Sequence, residues 1–248
     1  MTDLSATGSK PFPRSPRGSA RRLEAETATI PKHIPRGSIS LNAAMTPTVV
    51  IVPGLRDHIA HHWQTLLEAK LPKVVTVPRL TPGTLSRAVW ITTLEQTLAK
   101  VAGPIIFVAH SAGVMITVHW AQTYFRPILG ALLATPPDFE NPLPEGYPTV
   151  EQLKTHGWLP TPRARLPFTS IVAASTNDPL ARYERAAELA SAWGSRLVNI
   201  GAVGHLNPAA GFGEWPQAEK LIRKLTRAGA RTSAAKTRRL TTAFARAD

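Results

Sequence analysis

The chain of 248 residues has no cysteine. That removes disulfides, zinc–thiolate sites and a cysteine nucleophile at once. No stretch reaches the roughly 18 consecutive apolar residues that a membrane-spanning helix needs. Acidic residues are nearly missing from the two ends. Residues 1–44 hold seven Lys/Arg against Asp3, Glu24 and Glu26, and residues 223–248 hold eight against Asp248 alone. Of the net charge of +13, the ends therefore carry +4 and +7, and residues 45–222 carry only +2. The basic character is confined to the ends. It predicts at most nonspecific attraction to polyanions there, and no specific nucleic-acid partner for the body of the chain.

What is present is ordinary for a globular protein: 43% hydrophobic and 18% charged residues. Three segments follow from composition. Residues 1–44, with "TGSKPFPRSPRGSARR", mix Ser, Pro, Gly and Arg without apolar periodicity and read as a basic disordered extension. Arg21-Arg22-Leu23 is not followed by the apolar core of an export signal, and Glu24 and Glu26 argue against a transit peptide. A cytoplasmic location is expected. Met45, just before "TPTVVIVPG", fits the natural start of the patterned sequence. Residues 45–228 form one domain, and 229–248 a basic tail able to form a frayed helix.

Inside 45–228, buried strands alternate with helices. Strands are predicted at 48–53, 74–78, 104–109, 128–134, 168–174 and 196–200. Helices are predicted at 59–70, 84–101, 112–125, 179–193 (closed by Gly194) and 216–228. Continuous Val/Ile/Leu runs indicate strands covered on both faces, and strand–helix alternation indicates a mostly parallel sheet between helical layers. In such sheets ligands sit beyond the carboxyl ends of the strands.

Ser111 falls at such an end, in Ala109-His110-Ser111-Ala112-Gly113. Strand, tight turn and helix are the setting of a nucleophile elbow, whose usual pattern is G-x-S-x-G. Alanine replaces the first glycine but keeps the small residue that the close strand–helix approach requires. The helix N-terminus behind the serine favours developing negative charge. A plainer role as helix N-cap is the alternative. A serine nucleophile needs a base, and the base an orienting carboxylate. Asp178, after the strand at 168–174, and His205, after that at 196–200, supply them in the order Ser, acid, His of an α/β-hydrolase. Asp178 with Pro179 is also a routine helix start, and His205 could be an ordinary loop residue.

The stretches "VVIVPGLRDHIAHHWQTLLE", "IIFVAHSAGVMITVHWA", "ATPPDFE" and "ASTNDPLARYERAAELASAWGSRLVNIGAVGHLNPAAGFGEWPQA" resemble the small serine hydrolases related to retinoblastoma-binding protein nine and the bacterial YdeN group. The resemblance runs through nearly all of 47–222. The Asn-Asp-Pro turn and the Gly-His-Leu-Asn…Gly-Phe-Gly-x-Trp stretch are more specific than the elbow. It implies an α/β-hydrolase-like three-layer sandwich and a triad of Ser111, Asp178 and His205.

Oxyanion-hole donors are expected from the backbone N–H groups of Ala112, which follows the nucleophile, and Leu55, in the loop after the first strand. Other candidates are weaker. His58 and His62 stand at i, i+4, but the glutamate of H-E-x-x-H is missing, so no metal is predicted. His61 and His62 are expected to shape the pocket mouth or start the helix. His110 beside the serine is a rival base, Asp57 and Asp138 rival acids. Thr135 to Pro167 is too long for a simple connection. With Phe139, Tyr147 and Trp158 it reads either as a small lid over the serine, too short to serve large lipids, or as a surface loop packed by its own side chains. The expected activity is hydrolysis of small carboxylic esters, or amides, through an acyl-serine, without a cofactor. The alternative is a hydrolase-fold protein that acts mainly as a protein-binding module. Lack of cysteine excludes a Leu-x-Cys-x-Glu peptide in this chain.

Overall fold

The structure, a computed structural model, describes residues 46–55 and 59–244, with side chains through Thr232. The expected extension over 1–44, Met45, Asp57 and His58 lie outside the described residues. The order of elements is β1 (Thr48–Val52), α1 (Trp63–Lys70), β2 (Val74–Thr76), α2 (Arg87–Ala99), β3 (Ile105–His110), α3 (Ala112–Thr123), β4 (Gly130–Ala134), α4 (Val150–Thr155), β5 (Ser170–Ala174), α5 (Tyr183–Trp193), β6 (Arg196–Asn199), a 3-10 turn (Pro208–Ala210) and α6 (Pro216–Phe244).

The six strands form one sheet in the order β2-β1-β3-β4-β5-β6, and every pairing is parallel. Successive strand residues point to opposite faces, and here both faces are apolar. Val50, Val52, Phe107, Ala109, Leu133 and Val172 pack with Trp90, Leu94 and Leu98 of α2, with α3, and with Leu189 and Trp193 of α5. Val49, Ile51, Ile106, Val108, Leu132 and Ile171 pack with Trp63 and Leu67 of α1 and with Ala218, Leu221, Ile222 and Leu225 of α6. This is the three-layer α/β-hydrolase architecture, and it explains the unbroken apolar runs of the strands. No described helix is long and apolar enough to cross a membrane.

Chain direction from β1 reverses between β2 and β3, so β1 and β3 are neighbours at the switch point of the sheet. A crevice opens at the carboxyl ends of such strands. Gln64 of α1 is buried there, and its Nε2 donates to the carbonyls of Val52 (3.3 Å) and Val108 (3.0 Å). It ties the helix to both strand ends beside the crevice.

Several boundaries differ from expectation. α6 does not stop at residue 228 but continues to Phe244. Gly229 lies inside it, because a Cβ there would stand 2.2 Å from the Leu129 carbonyl oxygen. The glycine serves close packing, not helix termination. α5 begins at Tyr183 rather than 179, with Arg182 as its N-cap. The segment from Thr135 to Pro167 contains a two-turn helix, α4, opened by a capping box between Thr149 and Gln152.

Candidate active site

Ser111 follows β3 directly and has φ 56°, ψ −129°. A non-glycine residue in this region carries strain of about 1–3 kcal/mol. Its surroundings hold it there. Ser111 N–H donates to the Ala134 carbonyl at the end of β4 (3.0 Å), and its own carbonyl accepts from Val114 N–H (2.9 Å) at the start of α3. Gly113 is forced by proximity: a Cβ would meet the Val52 carbonyl oxygen at 2.1 Å and that of Pro53 at 2.7 Å. The Ser111 side chain makes no capping bond to α3. The helix-cap alternative is therefore not what the structure shows.

The hydroxyl turns instead to His205, whose Nε2 lies 2.8 Å from Ser111 Oγ. His205 Nδ1 is 2.9 Å from both carboxylate oxygens of Asp178. Asp178 Oδ1 also accepts from Leu180 N–H (2.9 Å). A carboxylate only accepts, so Nδ1 carries the proton and Nε2 is left to accept from the serine hydroxyl. Asp178 is not the N-cap of α5, which begins five residues later; it caps a local turn. The side chains of His205 and Asp178 are almost wholly buried, at 6% and 3% exposure.

Asp138, the rival acid, is turned away from this line. It forms an ion pair with Arg185 Nε of α5 at 3.2 Å and accepts from Asn141 Nδ2 (2.7 Å) and Glu140 N–H (3.2 Å). Arg185 also binds Glu140, which pairs with Arg163 (2.7 Å) and accepts from Thr161 N–H (3.1 Å). Burial pushes the Glu140 carboxyl up, but its Arg185 and Thr161 hydrogen bonds and the charges of Arg163 and Arg185 outweigh it and leave it below the usual range. This network fastens the 135–167 segment to the body.

His110, the rival base, is buried, and its Nε2 lies 2.9 Å from the His205 carbonyl oxygen. Burial first, then the neighbouring His205 and His62, hold its pKa well below 6.5, against the opposing hydrogen bond to His205. His62 caps α1, its Nδ1 accepting from Gln64 N–H at 3.2 Å. The rings of His62, His110 and Trp63 meet at tilted and edge-on angles, and His62 and His110 line the same cavity as Ser111. Among the described residues no cluster of three or more His, Asp or Glu could hold a metal ion.

A cavity of about 240 Å³ opens over Ser111 and His205. Gly54, Leu55 and Ala112 line its floor beside the serine, and Pro137, Phe139, Leu143, Tyr147 and Pro148 come from the 135–167 segment. That segment therefore supplies part of the wall of the cavity around the serine. Trp158 does not take part: it is fully buried against His119 and Phe139, and its Nε1 donates to the Leu85 carbonyl (2.7 Å).

Sequence reasoning overlooked Gln64, Ser175, Asn177 and Arg185. The contacts that matter join segments distant in the chain, Gln64 to Val108, Ser175 to Val203, Asn177 to Gly204 and Arg185 to Asp138, and no local spacing reveals them. For His110 there was a signal, its place next to the serine, but only a role as base was weighed.

An elbow serine over an all-parallel sheet, facing a buried histidine–aspartate pair, defines an α/β-hydrolase of the serine type. The chain belongs to the serine hydrolase family, whose model matches residues 49–224. A solved structure described as a YdeN-like hydrolase, from Pectobacterium atrosepticum, is 28% identical, with a TM-score of 0.62, covering 73% of this chain and 91% of its own. The ydeN gene product of B. subtilis shares the fold at 18% identity (TM-score 0.57, 73% and 98% covered). So does Est1E of Butyrivibrio proteoclasticus, solved with ferulic acid, at 13% identity (TM-score 0.56, 75% and 89% covered). No curated protein sequence matches the chain.

Proposed function

We propose that this serine hydrolase cleaves small carboxylic esters, or amides, through an acyl-Ser111 intermediate. The observation that carries this reading is the hydrogen-bonded line Ser111–His205–Asp178 opening into a small, mainly apolar cavity. Ser111 Oγ attacks the ester carbonyl while His205 Nε2 takes its proton. The backbone N–H groups of Ala112 and Leu55 receive the oxyanion. His205 then gives the proton to the departing alkoxide, and the alcohol leaves. Water enters, loses a proton to His205 and attacks the acyl carbon, releasing the acid and restoring the serine. Asp178 keeps the imidazole in the Nδ1–H tautomer and stabilises its cation.

Size supports a small substrate. The cavity of about 240 Å³ lies below the range of sites for drug-sized ligands. The lining from Phe139, Leu143, Leu180, Pro137 and Pro208 suits an apolar acyl chain.

A fluorophosphonate tests the reading. It should form one adduct, on Ser111, and none in Ser111→Ala, and p-nitrophenyl butyrate turnover should vanish with it. An adduct elsewhere, or turnover retained in Ser111→Ala, overturns the mechanism. A matched p-nitroanilide measures the ester-to-amide preference.

A further inference from the structure

Nucleophile and base are brought together from loops 94 residues apart, and the base stands on irregular backbone. Leu206, directly after His205, has φ +49°, in the left-handed region. Such a loop needs external ties if the imidazole is to stay within 2.8 Å of a hydroxyl on another strand. One tie comes from the residue next to that hydroxyl. His110 ends β3, and its Nε2 reaches the His205 carbonyl oxygen at 2.9 Å. A carbonyl only accepts, so His110 is in the Nε2–H form and donates. Its ring lies 5.0 Å from the His205 ring, 4.8 Å from that of His62 and 5.9 Å from that of Trp63, centroid to centroid. Packed on these sides, it has one direction in which to donate. Burial and the neighbouring histidines favour the neutral ring, which is the form that packs here.

We propose that His110 is a positioning residue: its Nε2–H holds the backbone carbonyl of His205, so that nucleophile and base are held by two consecutive residues of one strand end. This rests on the reading of Ser111 as nucleophile and His205 as base. Any shift of the β3 end carries the hydroxyl and the clamp together, which keeps the Ser111–His205 distance constant. Misplacement of a reacting group by about 1 Å can cost on the order of 10²-fold in rate. Loss of the donor also leaves a buried carbonyl unsatisfied.

The test compares His110→Leu with His110→Gln, whose amide nitrogen stands about where the imidazole Nε2 does. In His110→Leu, kcat for p-nitrophenyl butyrate and the fluorophosphonate labelling rate should both fall roughly 10- to 100-fold, with KM within about twofold. His110→Gln should recover most of both. The His205 Cε1–H resonance, identified by its loss in His205→Gln, should broaden or split in His110→Leu and be single in His110→Gln. That signal reads the clamp even if no ester is turned over, whereas absence of turnover in the native protein refutes only the functional reading. Unchanged kcat and an unchanged His205 signal in folded His110→Leu overturn the proposal. So does a glutamine variant as impaired as leucine, since the ring's packing would then be what matters. If His110→Leu does not fold, His110→Asn, whose shorter amide cannot reach the carbonyl, takes its place against glutamine with the same two outcomes.

Discussion

The amide oxygen of Asn177 lies 2.7 Å from the backbone nitrogen of Gly204. It joins the loop that carries Asp178 to the loop that carries His205. Ser175 completes the seam: its hydroxyl donates to Asn177 Oδ1 (3.0 Å) and accepts from Val203 N–H (3.2 Å). The separation of acid and histidine is thus held by neighbours as well as by the pair itself. Asn177→Ala should lower kcat about 5- to 50-fold through misorientation of the imidazole. Because Asn177 is exposed, its melting temperature should shift by only a few degrees. Steady-state kinetics beside a thermal melt check this, and an unchanged kcat would show that the seam is dispensable.

Asp178→Asn and Asp138→Asn should separate catalysis from folding. Asparagine at 178 still offers an oxygen to Leu180 N–H, so the turn survives, but the imidazole loses its anion. A drop in kcat of up to ~10⁴ is expected with a nearly native melt. Asp138→Asn leaves Arg185 with one fewer counter-ion at a site where both side chains are mostly buried, 11% and 14% exposed. It should lower the melting temperature while kcat stays within a few-fold. The reverse pattern would assign the acid to Asp138.

Much of this site was legible because each of its three side chains follows a strand: β3 and β5 are wholly buried, and β6 is a short edge strand with an apolar middle. Ser111 directly follows IIFVAH, Asp178 lies four residues past the end of SIVAA, and His205 lies six residues past the end of RLVN. In the sheet β5 and β6 are neighbours and β4 alone stands between β5 and β3, so the three carboxyl ends fall along one edge of the parallel sheet. The start of α5 was misread, since Asp178-Pro179 has the composition of a helix start but makes only a turn, and the helix waits until Tyr183. α4 carries a readable signature, Thr149-Val-Glu-Gln152, yet its two turns lack the apolar periodicity by which longer helices are found. The end of α6 was hidden for another reason. Gly229 looks like a boundary in sequence, and only the nearness of Leu129 shows it as packing. The ties from His110 and Asn177 join residues 95 and 27 positions apart and have no local pattern at all.

Gly113→Ala tests the closeness of β1 and α3 behind the serine. With a carbonyl oxygen 2.1 Å from the new methyl carbon, helix and strand must separate. Destabilisation on the order of 3 kcal/mol or more is expected, at the upper end for overpacking. Urea unfolding measures it, and a loss under about 1 kcal/mol would mean that the elbow yields readily.

His119 should make stability depend on pH. Arg87 Nη1 faces its Nδ1 at 3.3 Å, and its Nε2 donates to the Trp158 carbonyl (3.0 Å). A proton on Nδ1 would meet the guanidinium, so the neutral ring is favoured. Burial first and Arg87 second lower its pKa from 6.5 to about 4, against the Trp158 bond. Between those values the unfolded chain binds a proton that the folded chain does not, so stability falls as pH drops from 6.5 to 4, by about 3 kcal/mol at most from this group. His119→Gln, which keeps a donor for Trp158, should flatten that part of the profile. Parallel slopes for the two proteins in urea unfolding at pH 7 and pH 4 would refute the assignment.

The length of the acyl chain should be limited by the cavity wall that the 135–167 segment supplies rather than by the triad. In a p-nitrophenyl series, kcat/KM should rise to about four carbons and fall beyond about eight, as the chain outgrows a cavity of about 240 Å³. Leu143 is the side chain to trim. It lines the cavity and is only partly buried, whereas Phe139 also packs on Trp158 and its loss would disturb the core. Leu143→Ala removes three carbons from the wall and should move the optimum by two or three carbons toward longer esters. Each added methylene that finds apolar contact is worth about 0.8 kcal/mol, or roughly fourfold in kcat/KM, which a graded series resolves easily. The fluorophosphonate labelling rate, which depends on Ser111 and His205, should stay within about twofold. If the optimum stays in place in Leu143→Ala, the acyl chain lies elsewhere and the 135–167 segment does not set its length.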